Sequence, residues 1–213
     1  MLVASTIAPG APPCLDSAAK MQSFDQRDFR QAMGRFATGI TVVTMRSSDP
    51  EGAFAGPDGA PWPASPEGAL AASAGPTPGR PRTYGITVNA FMSVSLDPPL
   101  VAVSIDKRAR AHGTLSASER FGISVLSSAQ EHLSDLFAGR PVKQRGEPFE
   151  EFAGFPVVAG ALAHIVCRPH QAVEMGDHTI FVGEVEALRA TEGEPLLFFR
   201  GAYRTLPDLT LAR

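Results

Sequence analysis

Cysteine is scarce: the 213 residues contain two, Cys14 and Cys167. With so few, and no CxxC pair, neither a disulfide framework nor a cysteine zinc site is available, and a reducing cytoplasm is the expected setting. An excess of basic charge is missing too. Nineteen Lys and Arg against 22 Asp and Glu leave a net charge of −3, which argues against broad binding to nucleic acid or anionic membranes, since both need a basic surface. No run of about 18 apolar residues exists, so no membrane span is expected. The start "MLVASTIAPGAPPC" has no positive leader, is broken by prolines, and does not read as a signal peptide.

Catalytic signatures are equally thin. There is no GxGxxG and no GxxxxGK[ST], and no GxSxG elbow to support a serine hydrolase. The five histidines, at 112, 132, 164, 170 and 178, never fall in a zinc spacing such as HExxH, so no metal site is expected. The missing dinucleotide fingerprint excludes the usual way of holding a nicotinamide, not nicotinamide chemistry itself.

What is present is a folded chain of β character, 44% hydrophobic and 19% charged. Residues 1–22, with prolines at 9, 12 and 13, read as a loose tail, and residues 23–213 as one domain. Ser23 and Gln26 stand at capping-box spacing before a helix carrying Phe29, Met33, Phe36 and Ile40, with Gly39 as its stop. "ITVVTM" is a β-branched first strand. Between residues 50 and 82, eight prolines and six glycines fill 14 of 33 positions. That density marks a surface insertion, at about 47–82, between two paired strands. A long loop costs little closure entropy, because the penalty grows logarithmically. Trp62 either tacks this loop to the body or stands exposed on it.

Strands follow at 85–96 and 100–106, split by "DPP". Then come a short helix in "HGTLSASE", a strand in "RFGISVL", and a helix in "SSAQEHLSDLFAG" with Ser128 and Glu131 as its cap pair. Two strands meet at the Gly176–Asp177 turn, and "PLLFFRGAYRTL" closes the chain. Without regular βαβ alternation, an antiparallel barrel, closed or partly closed, is the expected architecture.

The stretch "GITVNAFMSVSLDPPLVAVSI" carries the chemical signal. Ile86, Val88, Ala90, Met92, Val94 and Leu96 alternate with Thr87, Asn89, Phe91, Ser93 and Ser95. Period two predicts one buried and one exposed face, yet the polar face has no charge before Asp97. Lys107, Arg108 and Arg110 follow at the end of the second strand, with hydroxyls at Thr114 and Ser116. Cations at a strand end grip a phosphate, and a Thr/Asn edge hydrogen-bonds a flat heteroaromatic ring. Two readings stay open on the residues alone. One is a nucleotide-like ligand of the shape of flavin mononucleotide; the other is a plain polar face beside a solvated basic turn.

Seven ordered blocks break the tie: "FRQAMGRFATGITVVT", "YGITVNAFMSVSLDPPLVAVSI", "RFGISVL", "LFAG", "GFPVVAGALAHIVC", "GDHTIFVGEV" and "PLLFFRGAYR", spanning about residues 24 to 204. In these blocks the chain resembles the flavin reductase-like family of split-barrel FMN-binding proteins. The resemblance implies a mainly β, Greek-key split barrel, a homodimer, FMN or FAD near the dimer interface, and NADH or NADPH as hydride donor. It also implies a partner monooxygenase that receives the reduced flavin by diffusion. By the same analogy Thr87, Val88, Asn89, Ala90 and Phe91 border the flavin ring and Ser93 continues that wall. Ser104, Ile105 and Asp106 line the ribityl chain, and Lys107 and Arg110 meet the phosphate. His178, in the Gly-Asp-His turn, serves the nicotinamide, or is simply held by Asp177 for structure. Tyr203 packs near the flavin or in the core. Arg140, Lys143 and Arg145 touch a dinucleotide phosphate or form a solvated charge run. Ala109 departs from the family's frequent hydroxyl and weakens the phosphate grip. Two rivals share the fold: a non-catalytic FMN-binding or storage protein, and an FMN-dependent oxidase acting on a small substrate.

Overall fold

A computed structural model describes residues 23–47, 82–142 and 146–206. The tail, nearly all of the 47–82 insertion with Trp62, Lys143 and Arg145 lie outside them, as does Cys14. Helix α1 (Gln26–Met33) begins at Asp25, which caps it reciprocally with Asp28. A box is present, two residues later than the Ser23/Gln26 spacing predicts. The helix stops at Gly34, whose carbonyl accepts from the Arg200 N–H at 2.9 Å. The chain is therefore already extended when it reaches Gly39, and Ile40 joins the core.

Eleven further strands and two helices follow the short β1 (Thr38–Gly39). In chain order they are β2 (Thr41–Ser47), β3 (Arg82–Val88), β4 (Phe91–Leu96), β5 (Pro99–Asp106), α2 (Arg110–Ser116), β6 (Phe121–Val125), α3 (Glu131–Phe137), β7 (Phe149–Phe152), β8 (Phe155–Val158), β9 (Ala163–Met175) and β10 (His178–Ala190). Then β11 (Leu197–Phe199) and β12 (Ala202–Arg204) close the described chain. A 3₁₀ turn capped by Ser127 and Gln130 precedes α3, one position before the expected Ser128/Glu131 pair.

The main sheet runs β3-β2-β6-β9-β10-β5-β4, with neighbouring strands antiparallel throughout. Its ends are drawn together where the Ser104 N–H of β5 donates to the Ala90 carbonyl at 3.1 Å, in the β3–β4 connection. With its terminal strands β3 and β4 joined through this short connection, the sheet curls into a partly closed barrel rather than lying open. Ser47 pairs with Arg82, so residues 48–81 leave and re-enter at directly opposed ladder positions.

The core follows from the β-branched and aromatic residues that face inward. Val43, Met45, Phe121, Ile123, Val103, Ile105 and Phe181 pack into one buried cluster, each contributing about 1.5–3 kcal/mol of burial. Gly183, at a register shift in β10, must be glycine because nothing larger fits: a Cβ there meets Phe121 Cζ at 2.4 Å. A second cluster joins Ile40, Val42, Leu133, Phe137 and Leu196 under α3 and the small sheet β1-β11-β12. The hairpin β7–β8 gave no alternating signal in the sequence; all four residues of β8 are buried. No helix among the described residues is long and apolar enough to cross a membrane.

One expectation changes phase. The stretch 85–96 is two strands, broken at Asn89–Ala90. Ile86 and Val88 of β3 face the core, but on β4 it is Phe91 that packs inward. The two-residue kink turns the chain between Val88 and Phe91, both inward and three positions apart, so inward positions switch from even to odd. Met92 (56% exposed), Val94 and Leu96 (95%) consequently point out of this chain, not into it.

Candidate functional site at the end of β5 and β10

The Ser104–Ala90 bond places the exposed Asn89–Ala90 kink beside β5. Ile105 is 2% exposed and faces the core, so its neighbours Ser104 and Asp106 look outward on one side. His178 lies directly opposite Asp106 in the β10–β5 ladder. The Lys107 N–H donates to the Asp177 carbonyl at 2.9 Å, tying the turn after β5 to the β9–β10 turn. Gly176 makes that turn at φ 58, a left-handed conformation that favours glycine. Asn89, Ala90, Ser104, Asp106, Lys107 and His178 are thus gathered at one end of the barrel, with Arg110 opening α2 next to them.

Charges are distributed pairwise there. Arg108 grips Asp106 with Nε at 3.1 Å and Nη2 at 2.7 Å, and its backbone N–H donates to the same carboxylate at 2.8 Å. These contacts hold the Asp106 carboxyl well below the usual carboxylate range. Lys107 Nζ meets Glu174 Oε2 at 3.0 Å, and this bond lowers the Glu174 carboxyl as well. His178 Nδ1 is 2.8 Å from Asp177 Oδ1. The hydrogen bond from His178 lowers the Asp177 carboxyl, and an ionised carboxylate only accepts. Nδ1 therefore carries the proton and Nε2 faces away with no described partner. Arg110 and the Asn89 carboxamide likewise make no side-chain bond to a described residue. Ala109 stands at the N-cap of α2 without a side-chain cap, the consequence of lacking a hydroxyl at that position.

Other candidates face elsewhere. Val88 and Ile105 are buried in the barrel core, and Phe91 packs against it. Ser93 is exposed on β4. The Thr87 hydroxyl donates to the Ser134 carbonyl of α3 at 2.6 Å. Tyr203 Oη donates to Asp135 Oδ1 at 2.7 Å, lies 2.9 Å from Ser134 Oγ, and its ring meets Phe198 edge-on. Burial pushes the Tyr203 phenol above its usual value. Arg140 pairs with Asp135 at 2.7 Å, and the Ser116 hydroxyl is spent on the His112 carbonyl. Thr87, Tyr203 and Arg140 therefore converge on α3, not on the kink.

Two residues at the site had no signal of their own in the sequence. His112 Nε2 lies 2.8 Å from the buried Thr179 hydroxyl, with its ring edge-on to Phe181, which fixes α2 over the barrel end. Glu174 is 67 positions from Lys107 and reaches it only through the β9–β10 hairpin. The docking of α2 brings His112 to its partner, and the pairing of β9 with β10 and of β10 with β5 brings Glu174 to Lys107.

Comparison with known proteins agrees with this architecture. The model of the flavin reductase like domain matches residues 33–207. An NADH-dependent flavin reductase from Rhodococcus is 36% identical over 83% of this chain and 84% of its own length. The reductase component of 4-hydroxyphenylacetate 3-monooxygenase from Thermus thermophilus is 36% identical over 84% of this chain and 95% of its own. The solved structure of the flavin reductase PheA2 superposes with a TM-score of 0.69 at 38% identity, covering 87% of this chain and all of that one.

Proposed function

The chain belongs to the flavin reductase like family, and from that premise we propose that it reduces FMN or FAD with NADH or NADPH and supplies the reduced flavin to a partner monooxygenase. The similar proteins named as NADH-dependent flavin reductases and as a monooxygenase reductase component support this reading. The donor set at the barrel end suits a flavin: an uncharged carboxamide at Asn89 for a ring edge, a small Ala90 that leaves room for flat rings, and cations at the strand end for phosphate. When bound, the flavin supplies the hydride-accepting ring, and the nicotinamide the hydride.

The chain's own task is positioning. Two flat rings must be held with their reacting atoms about 3–3.5 Å apart, and no general base is required for a hydride. Asn89 offers both a donor and an acceptor to the flavin edge. Ser104 and Asp106 form the floor beside it, and Lys107 and Arg110 take the phosphate. His178, oriented by Asp177, presents Nε2 toward the nicotinamide carboxamide. Val88, Phe91 and Ile105 act from behind as the packed wall of the same strands, and Ser93 extends it. A storage protein would not need an oriented histidine at this edge, which favours the reductase.

We further propose a homodimer. Phe91, Val103 and Phe181 are cross-strand partners that face the core, so exposed Met92 and half-buried Val182 share the outer face, with the small, buried Ala102 between them in the ladder. That face, with exposed Val94 and Met175 nearby, is an apolar surface of the type covered in oligomers. A reducing cytoplasm is the setting assigned to it, where the free thiol of buried Cys167 persists.

The convergence of the Asn89–Ala90 kink with Ser104, Asp106 and His178 carries this reading. The test is NADH consumption at 340 nm with purified protein and FMN. Turnover well above the protein-free rate is expected; consumption no faster than that blank rejects the reductase. His178→Ala is expected to raise the KM for NADH, and an unchanged KM with unchanged kcat rejects the nicotinamide role.

A further inference from the structure

We propose that Glu174 sets how tightly this site holds a phosphate-bearing flavin, by competing with the phosphate for the Lys107 ammonium; this rests on the flavin reading above.

The three cations after β5 are not equivalent. Arg108 is committed to Asp106 through two guanidinium nitrogens and its own backbone N–H. A fork clamped in this way does not turn readily to another anion. Arg110 pairs with no described residue. Lys107 is intermediate. Its backbone is pinned by the N–H bond to the Asp177 carbonyl, so the base of the side chain is fixed at the barrel end. Its ammonium makes a single described contact, with Glu174, at 3.0 Å. The Glu174 side chain is 82% exposed and accepts from no other described group. An exposed, one-point Lys–Glu pair contributes little, and a lysine on a flexible stem acts as a movable point charge.

A phosphate monoester carries between one and two negative charges near pH 7, by analogy with a phosphorylated side chain. It outcompetes one carboxylate for the ammonium, but binding must first release Glu174 and then endure its nearby charge. The penalty falls only on ligands that carry the phosphate. Riboflavin, which has the same ring and ribityl chain without that group, escapes it. The arrangement suits an enzyme that must release its flavin after reduction, because a grip weakened by an internal competitor lets go sooner.

The experiment uses the full chain at low ionic strength and reads quenching of flavin fluorescence on binding, with FMN and riboflavin titrated separately. Glu174→Gln is expected to lower the Kd for FMN about two- to fivefold, the scale of an exposed ion pair, and to leave the Kd for riboflavin unchanged. The gain should fade as salt is raised. Lys107→Gln is expected to weaken FMN binding and to shrink the gain from Glu174→Gln in the double variant. If Lys107→Gln weakens FMN alone while Glu174→Gln changes nothing, the competition is refuted and the phosphate site stands. If Glu174→Gln tightens riboflavin as much as FMN, the carboxylate acts on the ring or the fold and the proposal fails. If the parent protein quenches neither flavin, the flavin reading itself falls and takes this inference with it.

Discussion

The Thr87 hydroxyl donates to the Ser134 carbonyl across 2.6 Å, binding strand β3 to helix α3 two residues before the Asn89 kink. Ser134 in turn meets Tyr203, so one helix receives both the strand that leads into the site and the end of the described chain. The side chain of Thr87 is thereby occupied with holding β3 in place.

Removing that donor should be felt as stability first. Thr87→Val keeps the shape but leaves the Ser134 carbonyl with only its helical partner, the Ala138 N–H, at a cost of about 0.5–1.5 kcal/mol. Thr87→Ser retains the bond. Thermal denaturation is expected to show a clear drop in Tm for the valine variant and little for the serine variant; equal values would show that the bond contributes nothing.

Gly85 lies two residues before Thr87 on the same face of β3, and a Cβ there meets Phe137 Cδ1 at 2.4 Å. Gly85→Ala must push the Phe137 ring, and with it α3, off β3. Overpacking of this kind costs about 1–3 kcal/mol. Urea unfolding should give a lower midpoint with an unchanged slope, and a midpoint equal to the parent's would mean that the helix moves freely.

Asp106 gives a pH dependence of defined sign. Its carboxyl is lowered in the fold from an ordinary value of 3.8, chiefly by the Arg108 side chain and backbone. A lowered carboxyl contributes stability that is fully present above the ordinary value and is lost as pH falls through the folded one. Asp106→Asn should therefore be less stable than the parent at pH 5 to 7, with the gap narrowing below about pH 3.8. A gap that stays constant or widens in acid would contradict the pairing.

The outward stripe on β4 is expected to hold two copies together. Met92→Lys places a charge on the outer face without touching the core. Sedimentation should show a dimer for the parent and a shift toward monomer for the variant. A parent that sediments as a monomer at micromolar concentration excludes the proposed dimer.

His178 and Asp106 illustrate how far the sequence could be read. The β-branched runs at 40–45 and 100–106, the glycine turn before Asp177 and the cations after Asp106 are local features, and local chemistry determines them: branched side chains favour the pleat, glycine permits φ 58, and prolines end a ladder. The sequence by itself therefore determined most of the strands, though not the β7–β8 hairpin, and the barrel class with its family likeness. It did not decide which way residues 89–96 face, because a kink of two residues reverses the alternation and only closure of the sheet shows where it falls. Nor did it decide that Thr87 and Tyr203 meet on α3, or that Glu174 answers Lys107. Those contacts span 47 to 69 residues of chain, and such a separation is bridged by strand register and helix docking, which belong to the packed tertiary structure and to no segment alone.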